Sequence, residues 1–172
     1  MWDYLQAIKG LMMRKVKFDF DPFDIAKVDK RKIPSEVKQL IIEDVVDLIQ
    51  DKVLTYVADQ TSPVSGVGSF KKLSKEYSVI KSKEVGNTKA NLEAQGDMLD
   101  SLSVSQLKGT KIRLTVADDQ QDKADGHNNF SGQSMLPRRP FIPDERRGET
   151  FKKEILDGIK KTVKNILEDF EK

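Results

Sequence analysis

The 172-residue chain has no cysteine and only one histidine, His127. The absence of cysteine excludes disulfides, thiolate metal sites and cysteine nucleophiles. A single histidine also excludes metal ligand sets that need two histidines or a histidine with a cysteine. Nothing beside His127 forms a nucleophile–base pair, so we expect it to be a turn or surface-packing residue. The sequence therefore predicts no enzyme, no catalytic residues, no metal and no cofactor.

An excess of charge of one sign is also missing. Thirty basic residues against 28 acidic ones give a net charge of +2. This near balance argues against a dedicated, strongly basic nucleic-acid-binding protein, although it leaves local basic patches open. With 34% charged and 37% hydrophobic residues, the composition predicts a heavily charged surface around a modest core.

Long apolar runs are absent as well. No stretch approaches the roughly 18 apolar residues of a membrane span. Met1 to Tyr4 lack the basic and apolar regions of a signal peptide. We therefore expect a protein of the cytoplasm in which it is made, or of a particle assembled there.

The N-terminal segment, residues 1–34, has two periodicities. Leu5 and Ile8 begin a helical spacing that continues to Met12, whereas Phe18 and Phe20 alternate with charged residues as in a strand. These elements are either part of the core or an arm docked on a neighbouring subunit. The predicted domain boundary therefore separates residues 1–34 from a single domain at residues 35–172.

A long amphipathic helix is predicted from Ser35, as its N-cap, to about Asp59. Its apolar residues cover more of the helix surface than contact with a single neighbouring element requires, which indicates burial on two sides. One side would face the sheet. The other would face either an amphipathic C-terminal helix, predicted from Phe151 to Phe170, or another subunit.

The remaining elements complete a small α+β fold. Residues 61–69 have the composition of a loop, and the spacing of Leu73, Tyr77 and Ile80 predicts a helix over residues 70–82. Alternating apolar residues on both sides of Lys108-Gly109 predict a β-hairpin at residues 102–116. The polar stretch 117–135 predicts a short helix or an irregular segment and then a loop. Residues 139–142 could add an edge strand, where flanking prolines are tolerated. The expected architecture is a small antiparallel sheet packed against a long helix, with a C-terminal helix and an arm-like N-terminal segment.

Acidic residues at 118, 119, 122 and 125 precede Gly126. They lack the ligand spacing of an EF-hand, which also needs a glutamate at its twelfth position. A solvated acidic face is the better interpretation.

Lysines dominate residues 71–89, whereas acids dominate the long helix. Such runs are usually solvated faces, but in a ring they could serve subunit contacts or a DNA-facing lumen. A second basic cluster lies at residues 138–147, flanked by acids, and would bind phosphates weakly and in a salt-dependent manner.

Several short motifs, taken in order, resemble the neck or tail-completion (virion-morphogenesis) proteins of long-tailed bacteriophages. The motifs are Ser62-Pro63-Val64-Ser65-Gly66, Phe70-Lys71-Lys72-Leu73-Ser74-Lys75-Glu76-Tyr77, Asn91-Leu92-Glu93, Gly96-Asp97-Met98-Leu99-Asp100-Ser101-Leu102, Gly126-His127 and Arg138-Arg139-Pro140-Phe141-Ile142-Pro143. The resemblance covers the chain from Ser62 onward and, more loosely, the long helix. Residues 1–34 depart from the commonest pattern.

The resemblance implies a non-enzymatic α+β subunit of a homo-oligomeric ring at the head–tail junction of a virion. Residues 138–143 would then form a strand that extends the sheet. The implied partners are further copies of the chain, the adjoining portal or adaptor and tail proteins, and non-specific DNA in the channel, with no membrane.

Two sets of site residues follow from these considerations. The hypothetical interface set comprises Phe18, Phe20, Ile42, Val46, Val64 and Val67. The hypothetical basic set, facing DNA or a partner, comprises Lys71, Lys72, Lys75, Arg138 and Arg139. The alternative function is a cytoplasmic nucleic-acid-binding module that uses the basic residues of Lys71–Lys89 and Arg138–Arg147.

Overall fold

The computed structural model describes residues 14–92 and 97–172. The helix predicted around Leu5 and Ile8 lies outside the described residues. Within them the chain forms six α-helices and one three-stranded sheet. In chain order the elements are β1 (Lys17–Phe20), α1 (Pro22–Ala26), α2 (Ser35–Ala58), α3 (Lys75–Val85), α4 (Asp97–Asp100), β2 (Ser103–Gln106), β3 (Ile112–Thr115), α5 (Gln121–Asn128) and α6 (Lys153–Phe170). The predicted small α+β fold is confirmed.

The sheet is antiparallel, with β3 between β1 and β2. Leu114 of β3 lies opposite Phe18 on one side and Val104 on the other, and all three side chains are buried. The predicted hairpin is confirmed as β2–β3. The aromatic strand β1 pairs within the same sheet, so these four residues are a core element of the chain and not a detached arm.

A cross-strand ion pair joins β1 to β3 on the more exposed face of the sheet. The Arg113 guanidinium donates two hydrogen bonds of 2.7 Å to the Asp19 carboxylate. These hydrogen bonds hold the pKa of Asp19 below its usual value. The pair is compatible with the register in which Phe18 and Phe20 face the core, and the burial of these two rings specifies that register.

Helix α2 is buried on two sides, as its wide apolar stripe predicted. It packs against α6 and against β2, so the C-terminal helix provides the second side. At the start of α6, Phe151 packs edge-on against the rings of Phe18 and Phe20, with centroid distances of 5.1 and 5.7 Å. This aromatic cluster joins the N-terminal strand to the C-terminal helix.

Three helix starts differ from their predictions. Helix α6 begins at Lys153 and not at Phe151. Pro34 occupies the N-cap position of α2 without a side-chain hydrogen bond, and Ser35 is the first helical residue. Helix α3 begins at Lys75 and not at Phe70, because the Ser74 hydroxyl caps it by accepting a bond from the N–H of Tyr77. The N–H of Phe70 instead donates to the carbonyl of Gln60 at 2.7 Å.

The edge strand predicted at residues 139–142 is wrong, and so is the sheet extension implied at 138–143. These residues have no strand pairing, and the sheet ends at β1 on one side and at β2 on the other. The backbone N–H groups of this segment bind the carbonyl of His127 and the side chain of Asn128.

Gly158 of α6 faces Leu48 of α2, and a Cβ atom at position 158 would lie 3.4 Å from Cδ2 of Leu48. That distance leaves room for one methyl group. We predict that Gly158→Ala raises the free energy of unfolding by about 0.5–1 kcal/mol, because alanine is the better helix former. Urea denaturation measures the change. Gly158→Leu is the matched contrast, and we expect it to destabilise because its extra carbons would press on Leu48. If Gly158→Ala instead lowers the free energy of unfolding, α2 and α6 pack more closely at this position than the structure shows.

Candidate functional site

The segments that carry most of the sequence motifs meet in one place. We call this cluster the loop junction and define it as residues 61–72, 124–129, 138–144 and 149–152. Side-chain hydrogen bonds connect all four segments, and much of the cluster is buried. The motifs are far apart in the sequence but adjacent in the fold.

The amide of Asn128, at the end of α5, lies at the centre of the loop junction. Its Nδ2 donates to the carbonyl of Ala124 at 2.8 Å, and its Oδ1 accepts from the N–H groups of Phe141 and Ile142 at 2.9 and 3.0 Å. Asn128, Phe141 and Ile142 are all fully buried. One side chain therefore satisfies two buried backbone donors that would otherwise need a neighbouring strand, which explains why this segment is not part of the sheet.

Ser62 connects the 61–69 loop to the same segment. Its hydroxyl donates to the carbonyl of Pro140 at 2.5 Å and accepts from the N–H of Val64 at 3.1 Å. The loop also pairs with the start of α6, because Lys152 N–H donates to the Pro63 carbonyl at 2.8 Å. The predicted loop is therefore held by two hydrogen bonds near its start, one to Pro140 and one to the residue that precedes α6.

Arg139 is a structural residue of the loop junction. Its side chain is buried and its guanidinium donates to the carbonyls of Lys71 and Lys72 at 3.0 and 3.4 Å. Burial lowers the pKa of the Arg139 guanidinium. The prediction that Arg139 faces DNA or a partner is wrong, because the fold encloses its charge.

Arg138 is also engaged within the chain. It forms an ion pair of 2.6 Å with Glu149 and donates to the carbonyl of Asn128 at 2.9 Å. Glu149 is largely buried, so the pair is shielded from solvent on one side. Arg138 therefore does not supply a free positive charge, and its assignment to the basic set is corrected as well.

Three lysines of the basic set remain at the surface. Lys71, Lys72 and Lys75 are exposed, and none forms an ion pair within residues 14–92 and 97–172. The structure thus separates lysines that solvent and ligands can reach from arginines that hold the loops together.

The interface set is divided in a similar way. Phe18, Phe20, Ile42 and Val64 are buried in the core of the chain itself, so their prediction as interface residues is corrected. Val46 and Val67 are partly exposed. Val46 lines a shallow groove between α2 and the end of β2, beside Ser105 and Gln106.

His127 lies within α5 and not in a turn, which corrects that part of its prediction. Its carbonyl accepts from the N–H of Arg139 at 2.9 Å. Its Nδ1 atom is buried and has no hydrogen-bond partner among the described residues. Burial, with smaller contributions from the charges of Arg139 and Lys81, lowers the pKa of His127 to about 4.

The acids before Gly126 form a largely solvated surface, as predicted. Asp118, Asp119 and Asp122 are exposed, and Asp118 pairs with Lys15 at 2.9 Å. In the two described ranges no three His, Cys, Asp or Glu residues are grouped so as to hold a metal ion. Among the helices of those ranges, none is long and apolar enough to cross a membrane.

Helix α3 is oriented opposite to its sequence-based prediction. Tyr77 and Ile80 belong to the apolar spacing that predicted the helix, yet both are exposed, together with Val79. Lys81 is buried instead, and its Nζ donates to the Lys89 carbonyl at 2.6 Å and to Oδ1 of Asn91 at 2.7 Å. Sequence reasoning missed this surface and the role of Asn128, because both depend on contacts between distant residues.

Comparison of the chain with protein families, with curated proteins and with solved structures found no match.

We predict that Asn128→Ala lowers the free energy of unfolding by about 3 kcal/mol, because it leaves two buried N–H donors unpaired at roughly 1–3 kcal/mol each. Chemical denaturation measures this change. The matched control is Asn165→Ala on the exposed face of α6, which we expect to change stability by less than about 0.5 kcal/mol. Equal effects of the two substitutions would contradict the central role of the Asn128 amide.

We predict that stability falls as the pH decreases from 6.5 to 4, partly because of His127. Its pKa is about 4 in the folded chain but about 6.5 when unfolded. Between these values the unfolded chain binds the proton and the folded chain does not. The histidine therefore costs no stability above pH 6.5 and at most about 3 kcal/mol near pH 4.

Carboxylates titrate in the same range, so the comparison needs a variant without the imidazole. Unfolding should be measured at several pH values for the wild type and for His127→Gln. We expect the free energy of the wild type to fall more steeply with acidification than that of the variant. Parallel curves would show that His127 titrates normally in the fold.

Proposed function

We propose that this protein is a structural virion protein of the head–tail junction, a neck, connector or tail-completion subunit that forms a homo-oligomeric ring around the DNA channel. The observation that carries the proposal is the ordered set of motifs between Ser62 and Pro143, which resembles the phage virion-morphogenesis proteins. Most of these motifs contact one another in the loop junction.

The chemistry of the loop junction supports a structural role. The polar side chains of Ser62, Asn128 and Arg139 bind backbone groups of the chain itself. A buried hydrogen-bond network of this kind fixes the shape of loops at a domain surface. Such loops are suited to contact with neighbouring proteins in an assembly.

Contact with channel DNA would come from the exposed lysines. Lys71, Lys72 and Lys75 lie on and just before α3, where phosphates can approach them. Lysine contacts with phosphates are independent of sequence and weaken steeply with salt. This behaviour fits DNA that passes through a ring, with no selection among sites.

The alternative, a cytoplasmic nucleic-acid-binding module, loses part of its basic surface in the structure. Arg138 and Arg139 are occupied by contacts within the chain. Arg147 lies 3.4 Å from Asp144 and donates to the carbonyl of Asn129 at 2.7 Å. The lysine segment and the exposed Arg146 remain, and this smaller basic surface favours weak and non-specific binding over a dedicated module.

The test of the proposal is assembly. We expect the purified chain, alone or with portal and tail proteins, to give a multi-subunit mass and a ring in electron micrographs, and to be present in purified particles. A strict monomer that never joins particles would contradict the proposal.

Titration of the same preparation with DNA at low and raised salt distinguishes a ring subunit from a nucleic-acid-binding module. We expect binding that is weak, independent of sequence and lost between about 50 and 200 mM salt. A Lys71→Glu, Lys72→Glu, Lys75→Glu triple variant should reduce the salt slope by up to about 3, since each phosphate contact contributes about 0.9. Tight, sequence-selective binding that survives physiological salt would favour the module.

A further inference from the structure

Strand β2 is one edge of the sheet and pairs only with β3. At the end of this pairing, the N–H of Leu107 donates to the carbonyl of Lys111 at 2.7 Å. Because the bonded residues of an antiparallel pair alternate along each strand, the backbone groups of Ser105 also point at β3. The N–H and carbonyl groups of Val104 and Gln106 therefore point away from the sheet.

The β2 edge is open within the described ranges. No β-bridge and no backbone hydrogen bond there joins Val104 or Gln106 to a segment other than β3. β2 has the sequence Ser-Val-Ser-Gln, with no charged residue and no proline, whereas the opposite edge strand, β1, carries Lys17 and Asp19. Charges and prolines on an edge strand oppose pairing with further chains. β2 is therefore the edge that can accept another strand.

A groove with a volume of about 400 Å³ lies between the open edge of β2 and the first half of α2. We call it the β2 groove, and its lining includes Ile42, Glu43, Val46, Asp47, Ser105 and Gln106. Ile42 and Val46 lie about one turn apart on α2 and form an apolar strip beside the strand. Val46 is partly exposed, so a segment that covers the strip would remove apolar surface from water, which is favourable.

The wall that α2 contributes to the β2 groove is acidic. Glu43 and Asp47 are exposed, and neither forms an ion pair in the described parts of the chain. Glu43 accepts one hydrogen bond, from the neutral side chain of Gln39 at 2.9 Å. Lys108 and Lys111 belong to the hairpin turn and are not among the residues that line the groove. The groove therefore favours a partner that carries positive charge.

The remaining exposed face of α2 has the same sign of charge. Its two lysines, Lys38 and Lys52, are partly buried, and Lys52 binds Glu154 at 2.9 Å. The ionisable residues that α2 exposes are all acidic: Glu36, Glu43, Asp44, Asp47 and Asp51. A basic segment that enters the β2 groove therefore meets no exposed cation on this helix.

We propose that the open edge of β2 binds an extended, basic segment of a partner protein as a fourth strand of the sheet. The outward donors and acceptors of Val104 and Gln106 match an extended backbone, which offers both kinds of group at the spacing of a strand. Apolar side chains of the segment would cover Ile42 and Val46, and basic side chains would pair with the carboxylates of α2. This contact does not depend on ring assembly, so it goes beyond the proposed function.

The probe is a short fluorescent peptide with threonine at every second position and valine and lysine in turn between the threonines. In a strand, valine and lysine then share one face and threonine occupies the other. We expect saturable binding to the full chain by fluorescence anisotropy. The same peptide with glutamate in place of lysine should bind at least about 10-fold more weakly, since it would meet the acidic wall with like charge.

Methylation of the peptide backbone distinguishes strand addition from simple charge attraction. Every second N–H of an added strand faces its neighbour. Methylating one alternate set of N–H groups should abolish binding, and methylating the other set should preserve it. The two methylated peptides have the same charge, so equal affinities would overturn the proposal.

Substitutions in the chain test the same contact from the other side. Gln106→Pro removes an N–H that points outward and no bond to β3, so the peptide affinity should fall by roughly 10-fold. Glu43→Lys should weaken binding by about 5-fold or more. Glu84→Lys is its matched control, because Glu84 is exposed on α3 and does not line the groove, and it should leave the affinity unchanged. Circular dichroism checks that each variant folds.

Amide hydrogen exchange identifies what occupies the edge. We expect the N–H groups of Val104 and Gln106 to exchange rapidly in the free chain and slowly with the peptide. A peptide that does not bind, or that binds without protecting these two groups, would overturn the proposal. Protection in the dilute free chain would show that another segment of the same chain fills the edge, and protection that rises with protein concentration would show a second copy there. Either result overturns the assignment to a partner protein, whereas success or failure of ring formation alters none of these measurements.

Discussion

The structure depends on one buried amide, that of Asn128. Buried backbone donors must be paired, and in most α+β domains a neighbouring strand pairs them. Here the Asn128 side chain binds the two donors of Phe141 and Ile142, so this segment can cross the core as an irregular chain. Its position then allows Ser62 to bind Pro140 and Arg139 to reach the carbonyls of Lys71 and Lys72. The 61–69 loop, the entry to α3 and the start of α6 all take their positions from these contacts.

This network also determines which charges reach the surface. Arginine suits buried contacts with carbonyls, because its planar guanidinium offers several donors and is less strongly hydrated than an ammonium group. Arg138 and Arg139 are used in this way inside the loop junction, and the neighbouring lysines remain in solvent. The basic-set residues that remain exposed near the start of α3 are therefore Lys71, Lys72 and Lys75, although the sequence has a second basic cluster that looks equally strong.

Hydrophobic periodicity in the sequence is sufficient to predict an element when the same repeating side chains are the ones that the fold buries. β1, the β2–β3 hairpin, α2 and α6 were predicted because their alternation or helical spacing is the pattern of their burial. Periodicity failed at residues 139–142, where apolar side chains are buried but the backbone bonds go to Asn128. It failed again at α3, where the apolar spacing faces outward because Lys81 is held inside. In both places hydrogen bonds from residues outside the local pattern decide the structure, and no local repeat encodes them.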